Sequence, residues 1–402
     1  MQMKKVIVIH PDRQHSLQTA YALQKNGCLY KYITTVYLKR NSISLLLSSI
    51  APLSIKKKFQ KHKLEGLDDS KILLFCQIKM LALSLASLLL SEESVNKYRQ
   101  SIINDFNKKC LKYCLKQDFD VLISYDTLSG DAFKRLKEKG VKLVLDMSAP
   151  CFLEMYDNFK KDVERNLDDS VILNNYLKSP KVKCNISRCK EELLTYDYYL
   201  AASTYTKSTL LNQGIESGHI HIVRYGLPEV NATKCNEGHP FTCTFVGSVT
   251  QQKGCHYIFR LAKRYPEIVF NLVGAYDNSY KAIPQNCVMH GYLAFEQIKL
   301  ILESTDLFLF LSLSDGFGFA AAEAMAFGVP VICSKYAGVC DYVEGNGWIV
   351  SPEGIDEISS IIDQCIASPG MLKAMGAKAK ESVKGVRWDN YGRDLTDFIV
   401  NI

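Results

Sequence analysis

The stretch LSLSDGFGFAAAEAMAFGVPVICSKYAGVC, residues 311–340, decides the fold of this chain. The apolar residues 307–311 lead into it and predict a buried strand, which ends at the polar residues Ser314 and Asp315. An alanine-rich segment then predicts a helix that stops at Gly328, and the apolar run after it predicts another buried strand. Strand, helix and strand in this order are typical of α/β domains with a parallel sheet.

A glycine-rich turn, Gly-Phe-Gly at residues 316–318, opens the predicted helix. The first amides of a helix lack intrahelical partners and lie at the positive end of its dipole, so this turn predicts an anion site. Two carboxylates bracket the turn, Asp315 before it and Glu323 two helical turns later. An unpaired carboxylate in such an apolar helix would be costly, which favours a binding role for Glu323 over that of a solvated surface residue.

The segment resembles the nucleotide-sugar-binding signature of retaining glycosyltransferases of the GT-B fold, in the group 1 family that is also called family 4. That family carries two acids separated by seven residues, usually both Glu, ahead of an Ala-Met-Ala-x-Gly-x-Pro-Val run; here they are Asp315 and Glu323. The resemblance is strong from Phe241 onward, fair over residues 191–228 and weak before them. It implies an α/β fold of two Rossmann-like, doubly wound parallel-sheet domains that face each other across a cleft.

The resemblance places a donor site in the second domain. Family members carry Gly-Arg and then Lys-Gly after the first strand of this domain, and this sequence has Gly247-Ser248 and Lys253-Gly254, so the lysine matches and the arginine is missing. The amides of residues 316–319 and Lys253 would hold the leaving diphosphate. Glu323 would accept hydrogen bonds from ribose hydroxyls, and Asp315 from hexose hydroxyls.

The stretch around His290 resembles the family's nucleobase loop, although a strand end with partly buried aromatic side chains is equally compatible with it. The implied catalytic residues are Asp315, Glu323 and Lys253. The implied donor-binding residues are Gly247, Ser248, Lys253, His290, Gly291, Tyr292, Asp315, Gly316, Phe317, Gly318, Phe319 and Glu323.

Length and composition agree with two ordinary globular domains. The chain has 402 residues, of which 47% are hydrophobic and 23% charged, which is enough for two separate cores. A net charge of +7 suits a diphosphate donor or an anionic membrane surface and falls short of the basicity typical of nucleic-acid binding. The 14 cysteines include no Cys-x-x-Cys pair, which predicts reduced core thiols in a cytosolic protein rather than a metal site.

The amino-terminal segment predicts the opening of a doubly wound domain. Residues 4–10 form a strand pattern and residues 16–25 a helix pattern. Family members carry a glycine loop between these elements, and this sequence has none. Arg13 and His15 are therefore acceptor-side candidates that would act through their side chains, and a solvated loop that binds nothing is equally compatible.

Three further acceptor-side candidates follow predicted strands of the first domain. Asp126 follows the strand pattern 120–125, while Asp146 ends the pattern at 141–146 and Ser148 follows it. Open α/β sheets bind ligands at the carboxyl ends of their strands. In the family, the loop after the second of these strands often presents a histidine toward the donor sugar. This sequence has Asp146 and Ser148 there instead. A role as a turn or cap residue remains the alternative for Asp146.

Residues 41–117 predict a helical insertion. Leucine-rich residues 45–55 precede lysines at 56–63, as in an interfacial anchor on anionic lipid, and a surface helix with solvated lysines is the alternative. A second helix is predicted over residues 72–90. Its longest uncharged run falls short of the roughly 20 residues that a membrane span needs, so we expect a core or interface helix.

The predicted domains are residues 1–228 on the acceptor side, residues 229–384 on the donor side, and a helix at 385–402 that crosses back to the first domain. Polar, turn-rich residues 229–240 mark the boundary. By resemblance, an aromatic residue similar to Trp388 lies near the crossing.

The resemblance implies an enzyme that moves a hexose-type sugar from a nucleoside-diphosphate sugar to a saccharide or lipid-linked saccharide, in surface-polysaccharide or glycolipid assembly. It implies no cofactor, no required metal and no nucleic-acid partner. We expect a cytoplasmic protein, with peripheral contact to the inner face of an anionic membrane as a further hypothesis. The alternatives are a non-catalytic donor- or saccharide-binding partner of another transferase, and a GT-B nucleotide-sugar epimerase.

Overall fold

The computed structural model of the chain describes residues 3–12, 14–50, 56, 59–87, 89–125, 133–167, 171–230, 239–276 and 283–402. Within these ranges the strands form two parallel sheets, one from the first half of the chain and one from the second. The chain is therefore an α/β protein with two Rossmann-like domains, as the sequence predicts.

The first sheet is 7-stranded in the order β3-β2-β1-β4-β5-β6-β7. Its strands are β1 (Val6–Ile9), β2 (Leu29–Thr34), β3 (Ile72–Leu74), β4 (Val121–Tyr125), β5 (Lys142–Met147), β6 (Tyr198–Ala201) and β7 (Ile220–Ile222). The helices of this part are α1 (Ser16–Lys25), α2 (Ile43–Ile50), α3 (Gln77–Ala86), α4 (Glu92–Cys114), α5 (Lys134–Lys137), α6 (Phe152–Arg165), α7 (Val171–Lys178), α8 (Pro180–Thr195) and α9 (Thr204–Leu211).

The second sheet is 6-stranded in the order β10-β9-β8-β11-β12-β13. Its strands are β8 (Thr242–Val246), β9 (Val269–Val273), β10 (Cys287–Gly291), β11 (Leu307–Phe310), β12 (Val331–Ser334) and β13 (Gly347–Val350). The helices are α10 (Cys255–Arg264), α11 (Phe295–Glu303), α12 (Phe319–Ala326), α13 (Ile355–Ala367), α14 (Pro369–Ser382) and α15 (Trp388–Asn401).

The inner strands β1, β4, β11 and β12 are buried on both faces, which explains their largely apolar sequences. In β1, Val6 and Val8 pack in one hydrophobic cluster while Ile7 and Ile9 pack in another, because successive side chains of a strand point to opposite faces. The described cysteines are free and mostly buried, in agreement with the predicted core thiols.

The predicted insertion differs from the structure in one element. A helix was expected over residues 72–90, but residues 72–74 form β3, which extends the first sheet beside β2, and the helix α3 begins only at Gln77. The prediction was wrong because a short apolar run fits a buried strand as well as a helix. No helix in the described part of the chain is long and apolar enough to cross a membrane.

The helix α15 returns to the first domain and packs against α1. The hydroxyls of Thr19 and Tyr391 lie 2.6 Å apart, and the Lys25 ammonium contacts Asp389 at 2.9 Å. Where the two interdomain connections meet, a Cβ on Gly226 would lie 2.2 Å from the backbone nitrogen of Trp388, so this approach requires glycine. The predicted boundary at 229–240 stays a prediction, since residues 231–238 lie outside the described ranges.

Candidate functional site

The predicted donor residues gather at one edge of the second sheet. Gly247 and Ser248 follow β8, His290 and Gly291 end β10, and the glycine turn follows β11. All these strands are parallel, so their carboxyl ends meet at the same edge. The arrangement places the predicted diphosphate, nucleobase and sugar contacts where open α/β sheets bind ligands.

The turn before α12 is held by the carboxylate that precedes it. Oδ1 of Asp315 accepts hydrogen bonds from the amides of Phe317 at 3.2 Å and Gly318 at 2.7 Å. Gly318 has a φ of +83°, which favours glycine, and a Cβ there would lie 3.0 Å from the Cβ of Val339. Two of the amides that the sequence predicted for an external anion are therefore already bonded within the chain.

Lys253 lies directly against this turn. Its Nζ contacts Oδ2 of Asp315 at 2.6 Å, and both side chains are partly exposed. The loop that carries Lys253 is fixed because the amide of Leu313 donates to the carbonyl of Gln252 at 3.0 Å. Gly254 ends this loop with a φ of +74°, and a Cβ there would lie 2.0 Å from the carbonyl oxygen of Leu311. The structure thus brings together two of the three predicted catalytic residues.

Glu323, the third, lies on α12 and is half-buried. Burial raises the pKa of its carboxyl to about 7. No hydrogen bond to its carboxylate occurs among the described residues. A half-buried carboxylate without a donor is costly in the free protein, and hydroxyl donors of a ligand would remove that cost.

The predicted nucleobase loop is partly committed to internal contacts. Nε2 of His290 lies 2.8 Å from Oδ1 of Asn271, and burial lowers the pKa of His290. Tyr292 is 79% exposed, so its ring is accessible to a stacking partner. Ser248 is exposed as well, in the place where an arginine was expected from the resemblance.

On the first domain, the structure joins two of the predicted acceptor-side residues. Nε2 of His15 lies 2.9 Å from Oδ2 of Asp146, and Oδ1 of Asp146 accepts from the hydroxyl of Tyr225 at 3.3 Å. The pair is buried and His15 packs between the rings of Tyr125 and Tyr225. Asp146 therefore anchors a buried network in this structure. Arg13 and Asp126 lie outside the described residues.

The two edges face and touch each other. The Tyr225 ring stacks parallel to that of Phe319, with centroids 5.6 Å apart. A Cβ on Gly316 would lie 3.2 Å from the carbonyl oxygen of Ser148, and the Ser203 hydroxyl donates to the carbonyl of Gly316 at 2.7 Å. The glycine turn is thus covered by the first domain.

Two carboxylates that the sequence analysis did not single out hold the domains together. Asp341 accepts from the amide of Thr204 at 3.0 Å and from the Arg224 guanidinium at 3.0 and 3.2 Å. Asp162, on α6, accepts from Gln251 at 2.8 Å and Tyr257 at 2.6 Å.

Asp162 is buried, and burial alone would raise its pKa. Its hydrogen bonds and the nearby ring of His256 outweigh burial and lower the pKa. A signal for this residue exists in the sequence, because Asp162 shares the apolar helical face of Phe159 and Val163. The bond from Gln251 ties the Lys253 loop to the first domain.

Comparison with known proteins finds a family similarity in the second domain. Residues 232–382 match the family model of group 1 glycosyl transferases. Over 99% of its length the chain resembles the sucrose-phosphate synthase of Thermosynechococcus elongatus, with a TM-score of 0.67, 14% identity and 98% of that chain covered. It also resembles the Anabaena protein HepE in complex with UDP and glucose, with a TM-score of 0.61, 14% identity, and 99% of this chain and 100% of that chain covered.

Sequence relatives agree with this similarity. An uncharacterized glycosyltransferase of Methanocaldococcus jannaschii is 29% identical over 38% of this chain and 43% of its own length. A 41.2 kDa uncharacterized protein in the cps region of Klebsiella pneumoniae is 24% identical over 63% of this chain and 71% of its own. The O-antigen chain mannosyltransferase B of Escherichia coli is 29% identical over 25% of this chain and 26% of its own.

The match covers less than two thirds of the first and third of these relatives. Residues 232–382 are thus similar to group 1 glycosyl transferases, in a chain with the GT-B fold.

Proposed function

We propose that this protein is a retaining, metal-independent glycosyltransferase of family 4, which moves a hexose from a nucleoside-diphosphate sugar to a saccharide or lipid-linked saccharide. The observation that carries the proposal is Glu323, a half-buried carboxylate with a raised pKa and no partner among the described residues. Glu323 lies within residues 232–382, which match the group 1 family model, on helix α12. The glycine turn directly precedes this helix, and Lys253 contacts Asp315 at that turn.

The reaction needs the leaving diphosphate neutralised, the ribose held and the anomeric carbon turned toward an acceptor hydroxyl. Lys253 and the first amides of α12 provide positive charge for the diphosphate. Glu323 accepts from ribose hydroxyls. The bond between the anomeric carbon and the phosphate oxygen breaks, the acceptor oxygen bonds on the same face, and the acceptor proton passes to the departing phosphate oxygen.

The similarity to HepE, which was solved with UDP and glucose, supports a nucleoside-diphosphate hexose as donor. The similarity to a protein of a cps region and to an O-antigen mannosyltransferase supports a role in surface-polysaccharide or glycolipid assembly. On the acceptor side, the candidates His15 and Asp146 both contact Tyr225, whose ring stacks on Phe319 at the start of α12.

The decisive experiment measures nucleotide release from UDP-, GDP- and ADP-sugars with acceptor mixtures, with and without EDTA, for the wild type and Glu323→Ala. We expect release from one donor, unaffected by EDTA and lost in the variant. The anomeric configuration of the product, read by NMR, tests retention. Release that EDTA abolishes would overturn metal independence, and a product of inverted configuration would overturn retention.

An apolar surface on the first domain supports peripheral contact with a membrane. The helices α2 and α3 touch through the hydrogen bond from Gln77 to Ser44 at 2.8 Å. Leu46 on α2 and Ile78 on α3 are 65% and 67% exposed, and Lys56 is exposed nearby in sequence. Exposed leucine and isoleucine beside lysine favour the surface of an anionic bilayer. Residues 51–55, 57 and 58 of the predicted anchor lie outside the described residues.

A sedimentation assay with vesicles tests this contact. The wild type should sediment with vesicles that contain phosphatidylglycerol, and the double variant Leu46→Glu/Ile78→Glu should not. Leu300→Glu is the control, because Leu300 is equally exposed, at 66%, but lies on α11 of the second domain. Equal sedimentation of all three proteins, or none for the wild type, would contradict the proposal.

A non-catalytic donor-binding role is the second candidate. Two observations favour it: Ser248 stands where an arginine was expected, and Asp315 already neutralises Lys253. Loss of a cation from a diphosphate clamp costs about 1–3 kcal/mol. Nucleotide-sugar binding without release, even with acceptors present, would establish this role, whereas turnover by the isolated chain would exclude it.

A further inference from the structure

Both oxygens of the Asp315 carboxylate have hydrogen-bond partners within the chain. One oxygen accepts from the amides of Phe317 and Gly318, and the other accepts from the Lys253 ammonium. The carboxylate therefore satisfies two amides of the glycine turn and pairs with the lysine in the donor-free protein. The negative charge that the turn and the lysine attract is supplied by the protein itself.

The length of the side chain explains this arrangement. The Asp315 side chain bends back onto the amides two and three residues ahead, which is the geometry of an Asx turn in the loop before the helix; the N-cap of α12 itself is Gly318. The short side chain of aspartate suits this turn, and glutamate is one methylene longer. The anchored loop at Gln252 and Gly254 then keeps Lys253 within reach of the Asp315 carboxylate.

We propose that Asp315 is a positioning residue that shapes the glycine turn and keeps Lys253 at the phosphate site until a donor arrives. The inference rests on the proposed function and changes one role within it, because it replaces the contact with hexose hydroxyls that the resemblance implies. On binding, the Lys253 ammonium passes from the carboxylate to the diphosphate, while Asp315 keeps its two amide bonds and the shape of the turn.

The proposal predicts that the carboxylate competes with the diphosphate for Lys253. Asp315→Asn keeps an oxygen for the two amides and removes the negative charge, so UDP should bind about three- to tenfold tighter than to the wild type. UDP-glucose should gain by the same factor, because Asp315 makes no contact with the hexose. A contact with hexose hydroxyls would leave UDP affinity unchanged and would weaken UDP-glucose alone.

Calorimetric titration with UDP and with UDP-glucose separates these outcomes. Lys253→Met and Asp315→Asn/Lys253→Met complete a double-mutant cycle, in which the gain must vanish when the lysine is absent. Asp306→Asn is the control for lost charge, since Asp306 caps the start of β8 in the same domain, away from the turn. If Asp315→Asn does not fold, Asp315→Ser also keeps a side-chain oxygen for the turn.

If Asp315→Asn, or Asp315→Ser in its place, binds UDP no more tightly than the wild type does, the inference is overturned. A gain in UDP affinity that persists when Lys253 is replaced by methionine would also overturn it. A wild type that binds none of the UDP-, GDP- or ADP-linked nucleotides would instead overturn the proposed function, so the two failures are distinguishable.

Discussion

At the scale of single residues, Glu323 combines a cost to the fold with a use in binding. Burial raises its pKa to about 7, so the ionised form is disfavoured in the donor-free protein. Ribose hydroxyls donate best to the ionised form. Donor binding should therefore draw Glu323 into its charged state and release a proton.

Donor affinity should depend on pH through this carboxyl. With a pKa of about 7, the ionised fraction of Glu323 rises about tenfold from pH 6 to pH 8, and the affinity for UDP-glucose should rise by about the same factor. Calorimetry in two buffers of different ionisation enthalpy counts the released proton. Glu323→Gln keeps an acceptor that does not titrate, so its weaker binding should not vary with pH. Parallel pH profiles of the two proteins would contradict the assignment.

The same residue should lower stability at alkaline pH. A raised folded-state pKa means that the folded protein binds more protons than the unfolded chain between about pH 4.5 and 7, so stability falls as pH rises through that window. Glu323→Gln should then melt at a higher temperature than the wild type at pH 8. At pH 5 both side chains are neutral in the fold, and the two melting temperatures should nearly coincide. A gain at pH 5 as large as at pH 8 would show another cause.

At the scale of elements, the donor site depends on close packing between the Lys253 loop and the end of β11. Gly254 makes that packing possible, because its φ is +74° and the carbonyl oxygen of Leu311 lies where a Cβ would stand. The same contact sets the distance between Lys253 and Asp315. Backbone geometry at one glycine thus positions two charged side chains.

Gly254→Ala should destabilise the protein by more than about 1 kcal/mol, because it adds backbone strain to the steric overlap. It should also weaken UDP binding, since the loop must move away from the turn. Gly370→Ala is the matched control: Gly370 lies in the first turn of α14, and a Cβ there meets nothing within 4 Å. That change should be neutral or slightly stabilising. Equal urea midpoints for both variants would refute the packing argument.

Elements with long or strongly periodic apolar patterns were predictable from the sequence. The helix pattern at residues 16–25 matches α1 residue for residue, and the strand pattern at 120–125 matches β4 to within one residue. The run Ile72–Leu74 was misassigned, because three apolar residues carry no periodicity. The contacts of Asp162 were missed because its partners lie on the other domain, and residue spacing within a helix does not encode how domains dock.

The candidate site likewise has some features that the sequence predicted and others that it did not. The meeting of Lys253 and Asp315 at one sheet edge follows from the parallel strands of the second domain, which the sequence predicts. The bonds from Asp315 to the turn amides depend on a side-chain rotamer, and the pair of His15 with Asp146 joins residues 131 positions apart in the sequence. Neither leaves a local signal in the sequence.

At the scale of the whole molecule, the structure is closed over the donor turn. Gly316 lies against Ser148, and the Asp341 and Asp162 contacts hold the domains together on two sides. Separation of the domains would uncover Gly316 for a donor, and the polar contacts between the domains would set how often this happens.

Asp341→Asn should shift this equilibrium toward the open form. Asp341 is buried and accepts from Thr204 and from the Arg224 guanidinium, so neutralising it removes an interdomain ion pair. Small-angle scattering should show a larger radius of gyration for the variant, and stopped-flow measurements should show faster UDP association with weaker final affinity. Asp356→Asn is the control, because it breaks the exposed pair with Arg264 inside the second domain and should change neither quantity. Unchanged scattering with unchanged association for Asp341→Asn would mean that this ion pair does not limit opening, and that closure depends on the Asp162 cluster instead.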